Sequence, residues 1–163
     1  MRNLLTAALL VAVTGTALAA DNAGAGAADG PWTYFEWSTG VGSMIGPMTI
    51  DFSSESYLDV TDAFIDGDQF RVWVDGMDMG VTSIPTDDGA SIGSDADAAF
   101  ADPMWSSGTF GPFSGMKDVT FEVVDIAAGF DVGAGYYRTN VVPEPASLLG
   151  LALGGVLLGY RRR

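Results

Sequence analysis

The sequence predicts an all-β chain: an antiparallel β-sandwich, jelly-roll-like, flanked by an N-terminal signal peptide and a C-terminal single transmembrane helix. Three observations predict it. Apolar and polar residues alternate with period two over several short runs, and helical periodicity is hard to find between them. Asp75-Gly76 separates two such runs, and an Asp-Gly pair there is a strong hairpin signal because both turn positions favour positive φ. Two apolar runs at the extremes of the sequence stand apart from this pattern and carry flanking charges of the kind that direct export and membrane insertion.

Residues 1–19 read as a signal peptide. Arg2 makes the start positive, residues 4–13 form a short apolar run, and Ala17-Leu18-Ala19 is a small-x-small cleavage site, with cutting after Ala19 or, as second choice, Ala20. Signal peptidase is the implied processing enzyme. Residues 20–30 are rich in Ala and Gly and read as a flexible leader. The β-sandwich domain is expected over 31–141.

Within it, residues 32–37 supply the first strand, and residues 48–53 and 57–61 alternate as two more. Residues 70–74, the Asp75-Gly76 turn and residues 77–81 form the hairpin. Its register places Phe70, Val72, Val74, Met77, Met79 and Val81 on one face and Trp73 on the other. Residues 86–103, rich in Asp, Ala and Ser, read as a long loop with a short helical turn at 96–100. Residues 118–126 follow, with Val119, Phe121 and Val123 inward, and residues 136–141 come last. About seven to nine strands with Gly scattered among them is the pattern of an antiparallel sandwich.

Composition excludes several chemistries. The 163 residues contain no Cys and no His. Thiol chemistry, zinc-thiolate sites and Ser-His-Asp catalysis are therefore out of reach, and any metal site must be built from oxygen ligands, which points to calcium. Only Arg71, Lys117 and Arg138 lie between residues 20 and 145, against all 21 Asp and Glu. Such a domain is repelled by nucleic acid and by anionic lipid.

The C-terminal segment, 142–163, is the most specific feature. Pro143, Glu144 and Pro145 precede an apolar run rich in Leu and Gly at 146–160, and Arg161, Arg162 and Arg163 close it. As a helix the run reaches about 22 Å, short of the roughly 30 Å hydrocarbon core. Snorkelling arginines and local thinning make up the difference. The positive-inside rule then places the arginines in the cytoplasm and the domain outside. These three parts, in this order, resemble the PEP-CTERM sorting signal. The resemblance implies processing by an exosortase in a Gram-negative bacterium that makes exopolysaccharide, with Glu144 as part of a recognition motif. Residues 58–64, 67–72, 76–83 and 133–138 further resemble a small β-sandwich module of exported PEP-CTERM proteins and some fungal secreted proteins, for which the resemblance implies no established activity.

Candidate sites remain open at this level. Asp62, Asp66 and Asp68, with Gly67 between, read either as a calcium site or as a turn whose Asp side chains bond the backbone. Asp87, Asp88, Asp95, Asp97 and Asp102 either hold a cation or decorate a solvated loop. Glu36, Glu55 and Glu122 lie in or beside predicted strands, where a pair across a cleft would serve a polysaccharide hydrolase. Trp32, Tyr34, Phe35, Trp37, Trp73, Trp105, Tyr136 and Tyr137 are either core or a platform for sugar rings, with Trp73 the foremost ligand candidate because its register turns it outward. The reading that follows is an exosortase-sorted surface or matrix protein with a structural or interaction role, no catalysis and no cofactor beyond a calcium ion. Its alternatives are a carbohydrate-binding module for the host exopolysaccharide and a polysaccharide hydrolase.

Overall fold

The computed structural model describes residues 30–142. The signal peptide at 1–19, the leader up to residue 29 and the segment 143–163 lie outside the described residues. The elements are β1 (Thr33–Trp37), β2 (Met44–Asp62), β3 (Phe64–Ile65), β4 (Gln69–Val74), β5 (Met77–Val81), β6 (Ser91–Gly93), α1 (Ala96–Ala101), β7 (Ser107–Asp125) and β8 (Gly133–Val141). All pairings are antiparallel, as the alternation predicts. Hydrogen bonding makes one six-stranded sheet, in the order β1-β8-β2-β7-β4-β5, and a two-stranded ribbon, β3-β6.

Two strands dominate. β2 and β7 each run for 19 residues and pair along their length, from Met44 opposite Glu122 to Thr61 opposite Ser107. Straight, such a strand spans about 60 Å, whereas a compact domain of this size has a radius of gyration near about 13 Å. The ladder slips in register between Phe52 and Ser56 and again before Leu58. There the alternation lapses into exposed Ser53-Ser54-Glu55 on β2, with Ser114 and Gly115 exposed on β7. Bulges at such a polar break let a strand bend. What alternation alone divides into two strands, 48–53 and 57–61, is one bent strand.

The sheet closes over its own inner face. β1 and β4 stand four strand positions apart, about 19 Å in a flat sheet. Yet the Phe35 and Phe70 ring centroids lie 5.1 Å apart, and Phe35 stacks on Phe121 at 4.5 Å. Phe35 and Trp37 from β1, Leu58 and Val60 from β2, Phe70, Val72 and Val74 from β4, and Val119, Phe121 and Val123 from β7 share this core. The inward set expected on β4 and β7 is the set that is buried.

The hairpin turn forms as the Asp-Gly pair dictates, with φ of 50° at Asp75 and 76° at Gly76. The register beyond it does not follow the simple alternation. A bulge between Val72 and Trp73 leaves Val81 opposite Arg71 and exposed, and Met77 is exposed too; of the three apolar β5 residues, Met79 packs on the core. β5 is an edge strand, so apolar side chains there lack a second layer to bury them. Residues 86–103 carry more structure than a loop: β6 pairs with β3, and α1 covers the expected helical turn.

The helix is tied to the outer face of the sheet by Arg138. Its guanidinium bonds the buried Asp59 at 3.2 Å and Asp97 on α1 at 3.0 Å, and lies 4.4 Å from the Trp32 ring centroid. Asp59 also accepts from Thr109 and Asn140. Removing one partner of a buried, hydrogen-bonded ion pair costs about 3–5 kcal/mol. Arg138→Met is therefore expected to lower the unfolding free energy by that much, read as a fall in the urea midpoint, and Phe121→Ala by a similar amount through its cavity, about 3–5 kcal/mol. Met77→Ala, on the exposed edge, is expected to change stability by less than about 0.5 kcal/mol. Equal midpoints for all three variants would contradict this assignment of core, tie and edge.

Candidate functional site

Asp62 ends β2, and its carboxylate turns back onto the chain that follows. It accepts from Ala63 N–H at 2.6 Å and Asp68 N–H at 3.2 Å. Asp68 reaches across to Ala127 N–H at 3.0 Å, fastening the connection between β7 and β8. Asp66 faces another way. It accepts from the Thr86 hydroxyl at 2.6 Å and Asp88 N–H at 3.2 Å, fastening the loop after β5. Three aspartates from one turn thus pin three segments of chain. Asp62 and Asp68 come together; Asp66 does not join them. Among the described residues, no three acidic side chains are grouped as ligands of one metal ion.

Glycine makes the clamp possible at two places. Gly67 has φ of 132°, and a Cβ there would sit 2.5 Å from the Ala127 Cα. A Cβ on Gly133 would strike both the Asp68 carboxylate and the Trp37 ring. Only glycine allows these backbones to approach so closely.

Both carboxyls of the inner pair are forced toward their neutral forms. Burial pushes Asp62 up to about 8, helped by the charge of Asp68 and opposed by the N–H groups of Ala63, Asp68 and Gly67. Burial likewise raises Asp68 to about 6; the Ala127 N–H and the Trp37 indole oppose this, while Asp125 and Asp87 add to it. The Trp37 Nε1 is buried without a partner at hydrogen-bond distance, so its influence on Asp68 is that of a nearby dipole.

The loops so pinned enclose a groove of about 640 Å³. β1 contributes Tyr34, Glu36 and Trp37; the 63–68 turn contributes Phe64, Ile65 and Asp68; the β7–β8 connection contributes Phe130, Val132 and Gly133. Tyr34 and Phe130 are 48% and 46% exposed. Tyr34 packs edge-on against Phe64 and Tyr136, and its hydroxyl donates to Glu36 Oε2 at 3.1 Å. The size lies within the range of small-ligand sites.

The other sequence candidates disperse. Trp73 is turned outward as its register requires, but it is half-buried, donates to Glu122 at 3.1 Å, and lies outside the groove. Glu36 lines the groove, Glu55 sits at the bend of β2, and Glu122 pairs with Arg71 on the outer face. In the 86–103 segment Asp95 caps α1, Asp97 holds Trp32 and Arg138, and Asp87, Asp88 and Asp102 each accept from a backbone N–H. Those acids act as fastenings of the loop. Phe35, Trp37 and Trp105 are core, and Trp32 covers Arg138. Phe130, absent from the sequence candidates, lies in a Gly/Asp-rich connection with no alternation to mark it.

Comparison with known proteins bears on the far end of the chain. A family model described as the PEP-CTERM protein-sorting motif matches residues 141–163. The chain carries a PEP-CTERM sorting motif. It is thereby marked for export and for exosortase-dependent sorting to the cell surface. Pro143, Glu144, Pro145 and the Arg161, Arg162, Arg163 cluster fall inside the matched segment, which begins where β8 ends. These residues, and the helix expected at 146–160, lie outside the described residues. No curated protein and no solved structure matches the chain.

The inner carboxyl pair makes stability depend on pH. A carboxyl whose pKa is raised by folding binds its proton more tightly folded than unfolded, so stability falls as pH climbs from the ordinary value of 3.8 through about 6 and about 8. Asp66, Asp75 and Asp78 are shifted downward and act below that window. The melting temperature is expected to decline between pH 5 and pH 8.5, and Asp62→Asn to flatten that decline. A melting temperature that rises over this range, with the same slope in Asp62→Asn, would contradict the assignment.

Proposed function

We propose that the chain is an exosortase-sorted surface or extracellular-matrix protein whose β domain has a structural or interaction role without catalysis. The match to the sorting motif at residues 141–163 carries this reading. In it, signal peptidase removes residues 1–19 and the helix at 146–160 holds the chain in the membrane, domain outward. Exosortase then acts at Pro143-Glu144-Pro145. The sheet, folded so that β1 packs over β4 and β7, serves as the two layers of a jelly-roll-like sandwich, a rigid body suited to display. Asp62, Asp66 and Asp68 accept from backbone N–H groups, which supports the turn reading of these three over a calcium site. Glu36, Glu55 and Glu122 lie apart, on the groove, at the bend and on the outer face, so these three form no pair across a cleft.

One observation favours a second reading, a carbohydrate-binding module for the host exopolysaccharide. The groove leaves the Tyr34 and Phe130 rings half in water beside Glu36. Flat aromatic faces next to polar acceptors suit sugar rings.

The sorting reading is tested by intact mass of the mature protein from host cells with and without the sorting peptidase. The expected mass lacks residues 1–19 and everything beyond the 143–145 region, and does so only when the peptidase is present. A mature protein that keeps Arg161, Arg162 and Arg163 in cells with the peptidase would overturn it.

A further inference from the structure

The groove and the C-terminal end of the described chain lie at opposite ends of β8. β8 starts at Gly133 in the groove wall and runs nine residues to Val141, a span of about 30 Å. Val142 then donates to the Glu55 carbonyl at the bend of β2, at 3.0 Å. β1 runs the other way beside it: Gly30 N–H bonds the Thr139 carbonyl at 2.8 Å, and Trp37 lies opposite Gly133. The C-terminal described end therefore leaves the domain at the bend of β2, away from the groove. The sorting segment follows it directly. A chain tethered through that segment presents the groove on its far side, away from the tether.

The chemistry of the groove narrows what it can hold. Its apolar surface includes Tyr34, Phe130 and Val132, each about half exposed. The Tyr34 ring is steadied by Phe64 and Tyr136, so little side-chain freedom is lost when a ligand stacks on it. Its ionisable lining is acidic, Glu36 and Asp68. Among the described residues the three basic side chains are engaged elsewhere: Arg71 with Asp78 and Glu122, Lys117 with Asp75, Arg138 with Asp59 and Asp97. An anionic ligand would meet like charge at every ionised group of the lining. A ring with apolar C–H faces and hydroxyl or amine edges meets stacking surfaces and acceptors instead.

We propose that this groove binds uncharged or amino-bearing pyranose rings of a polysaccharide, stacked on Tyr34 and Phe130 with Glu36 accepting their hydroxyl or amine hydrogens. The proposal deepens the carbohydrate-binding reading and rests on it. It moves the binding residues from Trp73 on β4 to Tyr34 and Glu36 on β1 and Phe130 in the β7–β8 connection, and it excludes polyuronates as the ligand class.

The test is calorimetric titration of the full chain in detergent micelles with three probes at one ionic strength: cellohexaose, a glucosamine hexamer and an oligogalacturonate. Binding of cellohexaose, of the glucosamine hexamer or of both supports the proposal, provided that the oligogalacturonate binds about tenfold more weakly or not at all. Tyr34→Ala and Phe130→Ala are each expected to weaken that binding about tenfold or more, with the melting temperature kept. Glu36→Gln, which preserves shape, is expected to weaken the glucosamine hexamer more than cellohexaose. Trp73→Ala is expected to leave binding unchanged. Failure of both non-anionic probes to bind, equal binding of the oligogalacturonate, or binding indifferent to Tyr34, Phe130 and Glu36 would overturn the proposal. The mass experiment is independent of this one, so a correctly processed protein that binds neither probe loses the groove's ligand and keeps the sorting reading.

Discussion

A 19-residue β-ribbon cannot stay flat in a domain this small, and the rest of the structure follows from that constraint. β2 and β7 stay paired on both sides of the slips in their ladder, so the way to bury their apolar face is to bend the pair and turn the face on itself. The bend falls where the sequence permits it, at Ser53-Ser54-Glu55 and Gly115, where no apolar side chain demands a layer above it. Once bent, the ribbon offers one free edge to β8 and β1 and the other to β4 and β5. The Phe35, Phe70 and Phe121 rings then meet across the gap.

Folding a sheet in this way leaves an open mouth beside the turn that ends β2, and aspartate is what shapes it. Backbone N–H groups buried in loops must find acceptors. Asp62, Asp66 and Asp68 supply them to Ala63, Asp68, Ala127 and Asp88. The cost appears in the chemistry of the inner pair, whose two carboxyls sit too close and too deep to ionise freely. The groove wall is thus built of loops held by carboxylates, beside exposed aromatic rings on β1 and the β7–β8 connection. The acidity of the domain has a structural use there. Many of its carboxylates accept from backbone N–H groups, and one of them, Asp68, joins Glu36 in the acidic lining of the groove.

Much of the fold was legible. Alternation marked the inward residues of β4 and β7, because a strand with one face on a core must alternate. The Asp-Gly turn was readable because few residue pairs accept positive φ at both positions. The bulge at Met79 was not, since a one-residue slip depends on how an edge strand twists beside its neighbour and leaves no mark in composition. Of the groove, Tyr34, Glu36 and Asp68 were visible as candidates, each among several equivalents. Phe130 was not, because a single aromatic in a Gly/Asp-rich connection has no periodic context.

The sequence by itself determined the all-β class, the chemistries that a chain without Cys or His must forgo, and the sorting motif. Composition and a contiguous segment are enough for these. Trafficking signals are read as short linear stretches, so they do not wait on folding. The tertiary structure alone decided which carboxylates meet, that Asp66 parts from Asp62 and Asp68, and that rings from residues 34, 64 and 130 share one groove. The rings come from positions far apart in the chain, which the folding of the β2–β7 ribbon brings within reach of each other. The neighbouring aspartates are sorted by partners distant in sequence, the loop after β5 for Asp66 and the β7–β8 connection for Asp68.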